Sequence, residues 1–189
     1  MLERPQIHLT GASGAGVTTL GRALADHLEC TALDTDDFYW RPTTPPFREK
    51  RPNDERLDLL RRAFADAPRG WVLSGSIGAW ADPLLPLLRW VVYVTTPTEV
   101  RLARLRAREA ATFGAENIAP GGAHHQEYVD FLEWAARYDH GDREGRSAPR
   151  HRAWLAELTC PVQHVDGTRP PAELAAEIAA AWRAASTAR

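Results

Sequence analysis

TGASGAGVTT, residues 10–19, places glycines at Gly11, Gly14 and Gly16 and hydroxyls at Thr18 and Thr19. Glycines so spaced let successive backbone N–H groups turn inward around an anion, and a helix starting behind them points its positive end at the same place. The pattern G-x-x-x-x-G-K-[ST] is met at Gly11, Gly16 and Thr18, with Val17 in the lysine position. The backbone through Gly11, Ala12, Ser13, Gly14, Ala15, Gly16 and Val17 is therefore expected to cradle phosphates. Thr18 would offer a hydroxyl to a divalent metal, and Thr19 would reach a neighbouring phosphate. Spacing excludes two dinucleotide loops. A G-x-G-x-x-G reading from Gly14 puts its third glycine on Thr19. The T-G-x-x-x-G-x-G pattern has its glycines one residue out of place, and the tyrosine it needs four residues before a lysine is Pro46.

DTDDFYW, Asp34 to Trp40, follows an apolar run that predicts a strand. Open α/β sheets bind ligands beyond the carboxyl ends of their strands, and an acceptor hydroxyl needs a carboxylate within hydrogen-bond reach. Asp37 is the first candidate base and Asp36 the second; a turn held by Asx hydrogen bonds is the plainer alternative. In VTTPTEVRLARLRAR, four-residue spacing places Arg104 and Arg108 on one helix face, with Arg101 near the same stripe and Arg106 on a solvated one. Arg48 and Arg51 either bind an anionic acceptor or face water, and Trp40 and Trp80 are placed to stack on a ring. His124 and His125 lack metal-ligand spacing. Cys30 and Cys160 form no motif and are expected as small buried hydrophobes.

The elements that must position these residues alternate between short apolar runs and helical patterns, the mark of a parallel sheet covered on both faces. Strands are expected at Gln6 to Thr10, Thr31 to Leu33, Trp71 to Ser74, Trp90 to Thr95 and Val162 to Val165. Helices are expected at Thr18 to Leu28, Asp54 to Ala65, Pro97 to Arg108, His125 to Tyr138 and Pro171 to Ala185, with Ser147 capping another short one. Arg41 to Pro52 is a loop or flap. The stretch of about 109–159 exceeds a normal connection and is either a lid or an insertion that merely packs. The 189 residues form one expected domain with that insertion. A net charge of −2 gives no reason to expect nucleic acid, and no apolar run suggests a membrane span or a leader, so the cytoplasm is the default. Of 23 cationic side chains, 22 are arginine and only Lys50 is lysine, so any cation standing in for the missing one is an arginine.

Beyond the loop, the chain resembles the small-molecule and nucleoside-monophosphate kinases of the P-loop class. DTDDFYW is similar to the acidic-aromatic stretch of uridine and nicotinamide-riboside kinases and to the D-x-D of shikimate kinase. Pro97, Glu99, Arg104 and Arg108 resemble the adenylate-kinase pattern P-x-E-x-x-x-x-R-x-x-x-R. The combination also looks like a group of bacterial adenylate-kinase-like proteins with a D-T-D-D-aromatic-aromatic-W motif and no loop lysine. The resemblance implies a three-layer α/β/α fold with a five-stranded parallel sheet in the order 2-3-1-4-5 and a helical lid. It implies ATP and Mg²⁺, with Thr18 and Asp36 at the metal and Asp34 and Asp37 at the acceptor. Arg104 and Arg108 would grip the transferred phosphates, and Arg143 or Arg146 would supply a late lid arginine. The expected activity is ATP-dependent phosphoryl transfer to a small metabolite, nucleoside or nucleotide; the rival is a nucleotide-binding regulator without chemistry. WVLSGS ends in serines where many P-loop proteins place a metal-organising aspartate.

Overall fold

The computed structural model describes residues 3–142 and 145–187. These divide into two compact units: the first holds residues 1–11, 16–94 and 158–189, the second 12–15 and 95–157. The second unit's longer stretch is 95–157.

The first unit carries five parallel strands: β1 (Gln6–Gly11), β2 (Thr31–Asp34), β3 (Trp71–Ser74), β4 (Trp90–Thr95) and β5 (Val162–Asp166). Their order is β2-β3-β1-β4-β5, as the resemblance implied. Strands buried on both faces read as unbroken apolar runs. Ile7, Leu9, Val72, Val91 and Val92 accordingly have no exposed surface. Helix α1 (Val17–Leu28) follows β1, and its stripe of Leu20, Leu24 and Ala25 is buried. Gly21 belongs to that stripe for a steric reason: a Cβ there would come within 1.8 Å of Ser74 Oγ. α1 therefore lies close against the end of β3.

Helix α2 (Thr35–Tyr39) is a single turn directly after β2, and α3 (Asn53–Ala65) follows a flap. Two backbone hydrogen bonds close the flap's base, Arg41 N–H to Glu49 O at 2.8 Å and Arg51 N–H to Tyr39 O at 2.9 Å. Glu55 reinforces it by accepting from both Arg41 and Arg51. A 3₁₀ stretch over Ala79–Leu87 links β3 to β4.

In the second unit, α4 (Thr98–Phe113) runs five residues beyond the expected end, because no glycine intervenes before Gly114, which ends it at φ 86°. A single turn, α5 (Ala115–Ile118), precedes α6 (His125–Ala136) and α7 (Ala148–Glu157). Ser147 caps α7 as expected, accepting from Arg150 N–H at 3.4 Å. Helix α8 (Pro171–Thr187), in the first unit, closes the chain; its Leu174, Ile178 and Trp182 are buried.

Candidate active site

The glycine loop leaves β1 and enters α1 with the backbone its sequence demands. Gly14 and Gly16 have φ of 79° and 95°, in the left-handed region that side chains avoid. A Cβ on Gly14 would stand 2.6 Å from the Arg101 carbonyl oxygen, so the position admits only glycine. Gly16 is the N-cap of α1, and no side chain caps its first-turn N–H groups. That combination, a helix N-terminus behind glycines, fits a phosphate.

On the first unit's side, Thr18 Oγ1 donates to Asp34 Oδ2 at 2.8 Å. Asp34 is also the N-cap of α2, its Oδ1 accepting from Asp36 N–H at 3.0 Å. One carboxylate thus joins the loop hydroxyl to the helix that carries Asp36 and Asp37. The expected metal partner of Thr18 was Asp36; the carboxylate at that hydroxyl is Asp34. In the register of β2 on β3, Asp34 pairs directly with Ser74. The acid stands one strand over, with its side chain at the loop. A second clamp fixes α2 from the other end. Gly75, at φ 113°, brings β3's exit so close that a Cβ would come within 2.0 Å of Thr35 Oγ1. That hydroxyl accepts from Ser76 N–H at 3.1 Å. Asp37's carboxyl is raised above the ordinary carboxylate range, first by partial burial and then by the charge of Asp34, with Arg22 pulling the other way. A carboxyl raised in this way holds a proton more readily than a solvated aspartate.

The second unit gathers arginines on its own share of the loop. Arg101, 1% exposed, is a structural pin: it donates to Thr96 O, Ala135 O, Thr98 Oγ1 and Asp139 Oδ2. One turn along α4, Arg104 Nη1 donates to Ala15 O at 3.3 Å. Arg146 Nη2 donates to Ser13 Oγ at 3.1 Å, its guanidinium over the Trp134 ring. Arg108, the other arginine of that expected pair, is engaged by the Glu109 carboxylate at 2.8 Å and sits over Phe131. Its four-residue spacing from Arg104 holds, but Glu109 turns its guanidinium aside. Arg143 lies outside the described residues. Arg106 is exposed, as expected.

Around the flap, Trp40 makes edge contacts with Tyr39 and Phe47. Arg48 is exposed, and Arg51 donates to Glu55 at 2.7 Å. Sequence spacing missed Arg56, which is 6% exposed with its guanidinium 3.8 Å from the Tyr39 ring centroid. The available signal was its place beside Leu60 on the one buried stripe of α3. Among the described residues no cluster of His, Cys, Asp and Glu could hold a metal, and no helix is long and apolar enough to cross a membrane. Burial pushes the Cys30 thiol up to about 11, which suits an inert filler.

A family model described as an AAA domain matches residues 7–119, from β1 through the loop, the acidic turn and α4. The chain belongs to the AAA-domain family. A relative in that sense is YqaC of Bacillus subtilis strain 168, an uncharacterised protein, 40% identical over 163 residues that span 86% of this chain and 89% of the relative. Among solved structures the AAA domain is similar to a gluconokinase from Sinorhizobium meliloti 1021, with TM-score 0.54 and 16% identity over 99% of this chain and 96% of that one. It is also similar to shikimate kinase from Acinetobacter baumannii, solved with shikimate, with TM-score 0.51 and 21% identity over 92% and 90%. At such identities the likeness concerns the fold.

Proposed function

We propose that this AAA domain is an ATP-dependent kinase of a small metabolite, nucleoside or nucleotide. The observation that carries the reading is the Thr18–Asp34 hydrogen bond, which ties the phosphate loop to the turn bearing Asp37. A loop used only as a fold element has no need of a carboxylate on its hydroxyl. ATP with Mg²⁺ suits these groups: the N–H groups of residues 11–19 would take phosphate oxygens, and Thr18 and Asp34 would hold the hard cation. When bound, the metal supplies charge neutralisation between the phosphates. Asp36 and Asp37 stand on the acceptor side. Asp37 accepts the proton of the acceptor hydroxyl, and its raised carboxyl makes it a stronger base for that step than a solvated aspartate.

The loop's missing cation is replaced from α4 and the segment before α7. Among the described residues, Arg104 and Arg146 are the two expected arginines that touch loop residues, at Ala15 and Ser13. A planar guanidinium binds two phosphate oxygens at once, so it serves where charge spreads over the transferred group. Trp40, Arg48 and Arg51 line the acceptor side. The second reading, a nucleotide-binding regulator, is favoured by one observation, the buried Val17 in the lysine position.

The test is ADP formation from ATP and Mg²⁺ against pools of nucleosides, nucleotides and hydroxylated metabolites. ADP produced with one pool, and lost in Asp37→Asn, supports the kinase. Tight Mg–ATP binding with no ADP from any pool establishes the regulator.

A further inference from the structure

The carbonyl oxygen of Ala15, at the crest of the glycine loop, accepts two hydrogen bonds, from Thr96 Oγ1 at 3.1 Å and from Arg104 Nη1 at 3.3 Å. Both donors and the crest, residues 12–15, belong to the second unit. A carbonyl has two lone pairs, so these donors fill it. They differ in their freedom to leave. Thr96 is buried, and the residue before a proline is held extended. Its branched Cβ stiffens the side chain, and its own carbonyl accepts from the buried Arg101 Nε at 3.0 Å. Arg104 is exposed and reaches the same oxygen from the surface of α4 on a long, flexible side chain. Ala15 is itself buried, so little water reaches its carbonyl to replace a donor that departs. A buried carbonyl left without a partner costs as much as a lost hydrogen bond.

We propose that Thr96 is a positioning residue: its hydroxyl keeps the Ala15 carbonyl satisfied, which frees Arg104 to exchange that carbonyl for a phosphate oxygen when nucleotide binds. This goes beyond the kinase reading, from which it takes only the nucleotide on the loop. Without nucleotide, Arg104 rests on the crest, beside the place it is to serve. Were Arg104 the sole donor, its departure would orphan a buried carbonyl, and that cost would be subtracted from nucleotide affinity. Thr96 removes the cost by staying. Gly14 shows how closely the crest lies on the start of α4, since a Cβ there would stand 2.6 Å from Arg101 O and 3.0 Å from Leu105 Cγ. Thr96 and Arg104 stand just before and just after that contact, one on each side of the Ala15 oxygen's attachment to the helix.

The test is a double-mutant cycle on Mg–ATP affinity, measured by calorimetry without an acceptor. Thr96→Val removes the hydroxyl at nearly constant shape and should weaken binding roughly ten- to a hundredfold, because Arg104 is then detained by a carbonyl it alone satisfies. Thr96→Ser keeps the hydroxyl and should restore affinity to within about twofold of wild type. In an Arg104→Ala background the same Thr96→Val step should cost less than about threefold, since no arginine is left to detain. Equal losses in the two backgrounds would make Thr96 a brace of the loop and nothing more, and overturn the proposal. Wild-type affinity in Thr96→Val overturns it too. Should the valine variant fail to fold by far-ultraviolet dichroism, amide exchange over residues 12–16 of nucleotide-free Arg104→Ala decides. Protection kept within about twofold supports Thr96 as the holder of the crest, and a loss of about tenfold or more overturns it. The kinase reading is judged apart. Mg–ATP binding with no ADP from any pool ends the kinase and leaves Thr96 in its role. ADP formed alongside equal losses in both backgrounds keeps the kinase and removes that role, and a wild type that binds no Mg–ATP ends both.

Discussion

Asp34→Asn separates the two tasks that one carboxylate performs. Asparagine keeps an oxygen for the Asp36 N–H, so the cap of α2 survives; caps of this kind are worth about 1 kcal/mol. What is lost is the negative charge at Thr18 Oγ1, 2.8 Å away. A hydrogen bond to a charged group contributes about 1.5–3 kcal/mol. If that charge organises the metal, Asn should weaken Mg–ATP binding by about ten- to a hundredfold. Binding of ATP in EDTA should change by less than about twofold, since the loop N–H groups alone are then in use. Calorimetry under both conditions measures each constant, and far-ultraviolet dichroism checks that the fold is kept. Thr18→Val removes the other partner at nearly constant shape. Because both variants disturb one metal site, their combined loss should fall short of the sum by about 1 kcal/mol. Equal losses with and without Mg²⁺, or strict additivity, would refute the assignment of Asp34 to the metal.

Asp37→Asn should cut turnover by about 10²–10⁴ and leave ATP affinity nearly unchanged, as measured by ADP release and calorimetry. Because burial and Asp34 raise the Asp37 carboxyl, its ionised form is disfavoured in the fold. Stability from this group is therefore present at low pH and is lost as pH rises from the ordinary carboxylate value through the raised one. The acid limb of kcat should lie above the ordinary aspartate value, and carboxyl NMR should show the same group titrating lower in Asp34→Asn. Arg104→Ala and Arg146→Ala should each slow turnover by far more than Arg108→Ala, approaching the roughly 10³-fold that phosphate-binding arginines contribute. A turnover deficit in Arg108→Ala as large as theirs would show that the Glu109 pair opens in the working enzyme. Gly21→Ala gains helix propensity of about 1 kcal/mol but meets Ser74, so thermal melting should show a net loss of about 1–3 kcal/mol.

The fold was legible because its strands are continuous apolar runs and its loops carry glycines at positions only glycine fits. Trp71–Ser74 and Trp90–Thr95 have the bounds that the runs predict. The loop's backbone was legible for the same reason, since spacing alone specifies a glycine turn between a strand and a helix. Spacing was silent on pairing across the sheet. That Asp34 is the carboxylate on the Thr18 hydroxyl, opposite Ser74, follows from a β2–β3 register that no local pattern encodes. Arg108 shows the same limit on a helix. Its face is set by periodicity, but its guanidinium turns to the neighbouring Glu109. Arg56 escaped notice because a lone arginine among helix charges looks solvated until Tyr39 folds over it.

Val17 is where the departure from the phosphate-loop pattern acquires a physical meaning. It opens α1, is 8% exposed, and shares the buried side of the helix with Leu20 and Leu24. A lysine there would carry its ammonium through poorly hydrated surroundings, tolerable when a phosphate is bound and unfavourable when it is not. On the proposed reading that cost is avoided by taking the cations from Arg104 and Arg146, which touch Ala15 and Ser13. Val17→Lys should therefore destabilise the nucleotide-free protein by about 1–3 kcal/mol, the usual mutational cost of an unsatisfied buried polar group. For a chain of this size that is a fall of roughly 2–10 °C in Tm. Mg–ATP should restore most of it, so the ligand-induced rise in Tm should be larger in the variant than in the wild type. On the proposed kinase reading turnover should change little, with Arg104 and Arg146 supplying the loop's cations. An unchanged Tm with an unchanged ATP response would place the new ammonium away from the phosphates and end this account. A rise in turnover of several orders would show a loop with no substitute cation, and the regulator would then be the better description.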